Sequence, residues 1–199
     1  MNYVFIPGIC FTGLDVPKLV TSCVNLFKEV ESVLDIGAGY GRFLKWFITN
    51  TNVKYYVAIE PYPKFVNTLH TLVNNLRNVR ETKIEIVPKP WQEVRNVYLS
   101  KEFDVVILWN VIMFLDLRPF HNTSSFLDAI LKEFKHLSKT CRKYMLIAFE
   151  KIKNGIPELT NEQTWNTIIK YLCSNNFQII KKERYKYVLS KEYLNSKCR

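Results

Sequence analysis

The sequence has no apolar run long enough to cross a membrane. Its longest nearly unbroken one covers residues 105–115 and is interrupted by Asn110, whereas a membrane-spanning helix needs roughly 18 or more such residues, so no membrane association is expected. Residues 1–14 lack a basic opening segment and are broken by Pro7 and Gly8, so they do not read as a secretory signal. Metal and disulfide frameworks are missing as well. The five cysteines (Cys10, Cys23, Cys141, Cys173 and Cys198) are odd in number, scattered, and form no C-x-x-C pair. That argues against a disulfide scaffold and a zinc site, and it fits a reducing, cytoplasmic setting. The histidines, His70, His121 and His136, have no metal-ligand spacing. Glycine is scarce: there are six in 199 residues.

What is present is a globular composition, 48% apolar and 23% charged. At this length it suits one domain over residues 1–199. The net charge of +10 is uneven. Residues 1–50 are balanced, whereas residues 151–199 carry ten Lys/Arg against four Asp/Glu. That excess suits an anionic partner, nucleic acid included, or equally a lysine-rich solvated surface. If residues 182–186 stay extended, Lys182, Arg184 and Lys186 share one strand face. There they would form either a groove for phosphates or a guard on a sheet edge.

The periodicity alternates between two forms. Short apolar runs predict strands over residues 32–36, 54–59, 83–87, 103–108 and 144–149. Helical spacing marks residues 42–49, 65–76, 125–137 and 161–173. A further helix is predicted over 14–30, with Pro17 in its first turn. Two extended stretches, 177–181 and 185–189, predict a hairpin. This is an α/β pattern: a doubly wound, mostly parallel sheet with a C-terminal antiparallel hairpin strand and helices on both faces. Residues 1–30 form an N-terminal segment and helix ahead of a Rossmann-like core over 31–199.

Half of the glycines fall in one place, Val33-Leu34-Asp35-Ile36-Gly37-Ala38-Gly39-Tyr40-Gly41, between the first strand and a helix. Glycine there allows positive φ and a close backbone approach to a ligand. A dinucleotide fingerprint needs a sixth-position glycine, where this chain has Arg42, and no Lys-Ser/Thr pair makes a P-loop. Asp35 suits a ligand ammonium or sulfonium better than a pyrophosphate.

This motif resembles the class I S-adenosylmethionine-dependent methyltransferases, and the resemblance continues in element order over about residues 14–190. It implies a seven-stranded sheet, S-adenosylmethionine as cofactor, and a site including Asp35, Gly37, Ala38, Gly39 and Gly41. Glu60, 19 residues past Gly41, inherits the acid that accepts the ribose hydroxyls, and Pro61 offers an apolar wall near the adenine. The family often carries a polar residue where this chain has Pro90. Trp91 meets the adenine through its backbone or ring, or else packs in the core. Trp109 and Asn110 end the fourth strand facing the methyl donor, Asn110 alternatively capping the next turn. The Asn/Asp-Pro-Pro-Tyr/Phe signature of amino-nitrogen methylation is absent there. In similar enzymes the N-terminal segment covers the cofactor, a role open to residues 1–13. No general base stands out; His121, near Asp116, is either one or an ordinary loop histidine. The implied activity is methyl transfer to an acceptor that is a small molecule, a protein or RNA. A catalytically silent cofactor-binding partner subunit of the same fold is the alternative.

Overall fold

The fourth apolar run becomes the most deeply buried strand. In the computed structural model, which describes residues 15–76, 79, 81–111, 123–148 (side chains from 127 in that last stretch), 162–183 and 186–191, all seven residues of β4 (Phe103–Trp109) are buried. The other strands are β1 (Ser32–Ile36), β2 (Tyr55–Ile59), β3 (Lys83–Val87), β5 (Cys141–Ala148), β6 (Phe177–Glu183) and β7 (Lys186–Lys191). They form one seven-stranded sheet in the order β3-β2-β1-β4-β5-β7-β6. Strands β1 to β5 pair in parallel, while β7 runs antiparallel to both β5 and β6.

Strand alternation sorts the core into two layers. Leu34, Ile36, Val106 and Leu108 point to one face, where they meet α4 (Trp91–Tyr98), α5 (Thr123–Thr140) and α6 (Glu162–Ser174). Val33, Val105 and Ile107 point to the other, where they meet α1 (Lys18–Thr21), α2 (Arg42–Asn50) and α3 (Pro63–Leu76). Each buried aliphatic or aromatic side chain contributes about 1.5–3 kcal/mol. By that measure the sheet is weakest at its two edges, where β3 has no buried residue and β6 has one, Phe177.

Several expectations change, and α5 and β5 begin two and three residues earlier than their periodicity suggests. Residues 14–30 do not form one helix. After α1, Cys23 N–H donates to Val20 O at 2.9 Å and a 3-10 turn, Val24–Phe27, follows. The hydroxyls of Thr21 and Ser22 bond back to Lys18 O and Leu19 O, and such side-chain bonds compete with helix continuation. Conversely, α4 was not anticipated; its signal is Trp91, Val94 and Tyr98, buried at helical spacing after Pro90. Helix α3 begins two residues early at Pro63, since proline is tolerated in a first turn. The basic stretch 182–186 is not one extended strand. Lys182 pairs with Tyr187 and Glu183 with Lys186 across the β6–β7 hairpin, so Lys182 and Lys186 lie on opposite faces. Lys182 Nζ stands 5.4 Å from the Tyr187 ring centre. Arg184, the N-terminal segment 1–13, Asp116, His121 and the loop over 151–157 lie outside the described residues. Among the described residues no helix is long and apolar enough to cross a membrane.

The amino end of the sheet is fastened by Asp104, which is fully buried. Its carboxylate accepts Glu31 N–H at 2.8 Å and Arg142 Nη2 at 2.6 Å, with Lys143 Nζ at 3.4 Å. Burial alone would raise its pKa; the Glu31 N–H and the two cations outweigh burial and hold the carboxyl below its usual range. A depressed acid stabilises the fold above its unfolded pKa and loses that contribution as the pH falls. Asp104→Ala is therefore expected to cost about 2–3 kcal/mol at pH 7, below the full penalty of a dry ion pair because Arg142 is partly hydrated. Urea midpoints check this, and the difference from wild type shrinks below pH ~4.

Candidate functional site

Strands β1 and β4 are neighbours, but their crossovers leave in opposite directions, so their carboxyl ends frame a crevice. The chain enters it from both sides in left-handed conformation, with φ +77° at Gly37 after β1 and +61° at Asn110 after β4. Asn110 is buried, and its N–H donates to Ala148 O at 2.9 Å. Left-handed backbone at a non-glycine residue is sparsely populated and held by its surroundings.

The glycine turn is tied to the end of β2. Gly37 and Ala38 N–H both donate to Ile59 O, at 2.8 and 3.1 Å, and Gly41 N–H closes the turn on Ala38 O at 3.0 Å. The three glycines then differ in what a side chain would meet. A Cβ at Gly37 would lie 2.6 Å from Val111 Cγ2 and 2.9 Å from its Cβ, whereas at Gly41 its close contacts would be leucine tips of α3, with Leu44 Cβ at an ordinary 3.7 Å. A Cβ at Gly39 would meet nothing within 4 Å among the described residues. The middle of the turn faces open space.

Glu60 stands at that opening, 6% exposed. Its Oε2 accepts Gly39 N–H at 2.8 Å and its Oε1 accepts Tyr62 N–H at 2.9 Å. Burial raises its pKa, and the two backbone donors only partly offset that. Each oxygen keeps a further lone pair for a ligand hydroxyl. Pro61 beside it is exposed. Tyr40 and Tyr62 flank the turn with rings packed on Phe65, at 4.3 and 5.0 Å between centres. This aromatic flank was missed, although aromatics at 40, 62 and 65 border both motifs in sequence.

Other expected residues are less open. Asp35 is 1% exposed, lies beneath the turn, and accepts the Tyr56 hydroxyl at 2.7 Å. Tyr56 was also missed, because its closeness depends on the β1–β2 register. Pro90 precedes the first residue of α4. The Trp91 ring is core, its N–H donating to Glu133 Oε2 at 3.1 Å, so of the routes expected for Trp91 the structure uses packing for the ring and leaves the backbone. Trp109 is buried against Phe43, ring centres 5.3 Å apart, with the Arg42 guanidinium carbon 6.0 Å from its ring. Among the described residues no His/Cys/Asp/Glu group could hold a metal ion.

Burial pushes the Asp35 carboxyl up to about 7; the Tyr56 hydrogen bond and the Arg42 charge oppose the rise, and the Glu60 charge adds to it. A raised acid stabilises the fold below its unfolded pKa and loses that contribution as the pH climbs through the folded value. Asp35→Asn keeps the shape and an acceptor for Tyr56 but never ionises. It is expected to gain stability over wild type by on the order of 1.4 kcal/mol per pH unit between about pH 4 and 7. Paired urea titrations across that range check the slope.

Residues 14–172, which include the glycine turn, Glu60 and β4, match the methyltransferase domain family. Curated proteins give no match. Among solved structures the chain is similar to magnesium protoporphyrin IX methyltransferase from Synechocystis PCC 6803, solved with bound S-adenosylmethionine. There the identity is 17% and the TM-score 0.57, over 87% of this chain and 78% of that one. It is also similar to the 16S rRNA methylase ArmA, at 15% identity and TM-score 0.55, over 87% and 80% of the two chains. A third likeness is to an S-adenosylmethionine-dependent methyltransferase from Aquifex aeolicus, at 18% identity and TM-score 0.54, over 89% of each. At these identities the likeness is one of fold. The family match over most of the chain carries the rest: the protein belongs to the methyltransferase domain family, and it has the class I fold of S-adenosylmethionine-dependent methyltransferases.

Proposed function

We propose that this protein binds S-adenosylmethionine at the glycine turn and transfers its methyl group to an acceptor admitted at the carboxyl ends of β4 and β5. The observation that carries the reading is the open space over Gly39, bordered by the buried Glu60 carboxylate. The residues fit the cofactor. Gly37, Ala38, Gly39 and Gly41 bring bare backbone to it, and Glu60 has lone pairs for the ribose hydroxyls. Pro61, Pro90 and the Trp91 backbone border the adenine. Asp35 places negative charge under the turn, and Trp109 and Asn110 close the β4 side. The cofactor supplies an electrophilic methyl on a sulfonium. The protein's part is orientation: holding an acceptor in line with the methyl accounts for about 7–11 kcal/mol of barrier lowering.

The acceptor class follows less from the basic hairpin than its sequence suggests. Lys182 and Lys186 face opposite sides of the sheet, which favours edge protection over a groove along a phosphate backbone. A small molecule or a protein is therefore preferred to nucleic acid. Free thiols at Cys23, Cys141 and Cys173 support a reducing, cytoplasmic setting.

Two variants and one assay test the reading. Gly39→Ala puts a methyl group into the opening and Glu60→Ala removes the ribose acceptors. Each is expected to weaken S-adenosylhomocysteine binding by calorimetry, Glu60→Ala by about 1.5–3 kcal/mol. Unchanged affinity in both would remove the site. Labelled S-adenosylmethionine, incubated with fractionated metabolites, protein and RNA, should mark one fraction; binding without transfer to any would identify a silent partner subunit instead.

A further inference from the structure

Trp109 carries a donor with no acceptor. Its side chain is 5% exposed, and its indole N–H is buried without a hydrogen-bond partner among the described residues. An indole nitrogen can only donate, and a buried donor left unmade is costly, so the arrangement suits an acceptor brought by a ligand. The position fits this. Trp109 ends β4 at the crevice, on the face of the sheet that also carries Asp35 and α2.

The surroundings say which kind of acceptor. Arg42, the first residue of α2, holds its guanidinium carbon 5.4 Å from the Phe43 ring centre and 6.0 Å from that of Trp109. A cation at a helix N-terminus opposes the helix dipole, and the Arg42 charge also acts on Asp35. A donor N–H beside a guanidinium suits an anionic oxygen. Asp35, two residues before Gly37, supplies the opposite charge nearby. One ligand end that satisfies both is an α-amino acid zwitterion.

We infer that the Trp109 indole N–H, with Arg42 beside it, holds the carboxylate of the cofactor's amino-acid end, while Asp35 favours its ammonium. This rests on the reading of the crevice as the S-adenosylmethionine site. It makes Trp109 a positioning residue, selective for ligands that carry the carboxylate.

The test compares S-adenosylhomocysteine with decarboxylated S-adenosylhomocysteine, which lacks only that carboxylate, by calorimetry on the full chain. Trp109→Phe keeps the aromatic packing and removes the N–H. It should bind S-adenosylhomocysteine about 10- to 100-fold more weakly than wild type and the decarboxylated ligand equally well. Arg42→Met should show the same carboxylate-dependent loss, which keeps the inference testable if the tryptophan variant fails to fold. Unchanged S-adenosylhomocysteine affinity in the variants overturns it, as does an equal loss for both ligands, which would mark a merely structural role. Wild type binding neither ligand would instead sink the cofactor reading itself. Turnover that falls with cofactor affinity intact would assign the indole to the acceptor and also overturn the inference.

Discussion

A Cβ at residue 37 would reach within 2.6 Å of a Val111 methyl and 2.9 Å of its Cβ. Valine is stiff about χ1 and cannot swing aside as a leucine tip can, so the backbone after β1 must pass β4 without a side chain. The carboxyl end of the sheet is built around that contact. Because the turn hugs the strand ends, Gly37 and Ala38 reach the same Ile59 carbonyl and Gly39 reaches Glu60. The middle of the turn is thereby lifted clear of the other described residues. The opening over Gly39 is what remains when its neighbours are pressed down.

The polar groups around that opening are placed at some cost to the fold. Asp35 is enclosed at a strand end with the Tyr56 hydroxyl for company, and Glu60 is nearly enclosed with two backbone donors. Burial pushes both carboxyls toward the neutral form. Asp104, at the other end of the sheet, has cations and an N–H around it and is held ionised. The contrast separates an acid that fastens the fold from acids kept under-compensated beside a crevice, where local rules are commonly broken for function.

Most of the sheet could be read from the sequence because its strands announce themselves. The segments around Leu34, Val57 and Val106 are short, mostly apolar runs, the pattern of strands covered on both faces. The glycine turn and Glu60 were legible because their spacing is fixed by backbone geometry rather than by distant packing. What was not legible depends on register or on competing local bonds. Tyr56 reaches Asp35 only through the alignment of β1 with β2. Residues 14–30 have helical spacing, but the hydroxyls of Thr21 and Ser22 offered the backbone another partner. Lys182 and Lys186 look like neighbours until the antiparallel pairing of β6 with β7 puts them on separate strands. The ring of Trp91 was ambiguous, since nothing local says that Glu133 will arrive beside it from α5.

The strand order also has a consequence for synthesis. Strand β7 fills the gap between β5 and β6, pairing Met145 with Leu189 and Ile147 with Tyr187. A nascent chain that has emerged only as far as β6 has made both flanking strands but not the one that joins them. Until residues 186–191 leave the ribosome, β5 presents an apolar edge with unpaired backbone groups, the kind of surface that recruits strands from other molecules. Protection of this sheet during translation therefore hinges on a six-residue segment made about forty residues after the strand it covers.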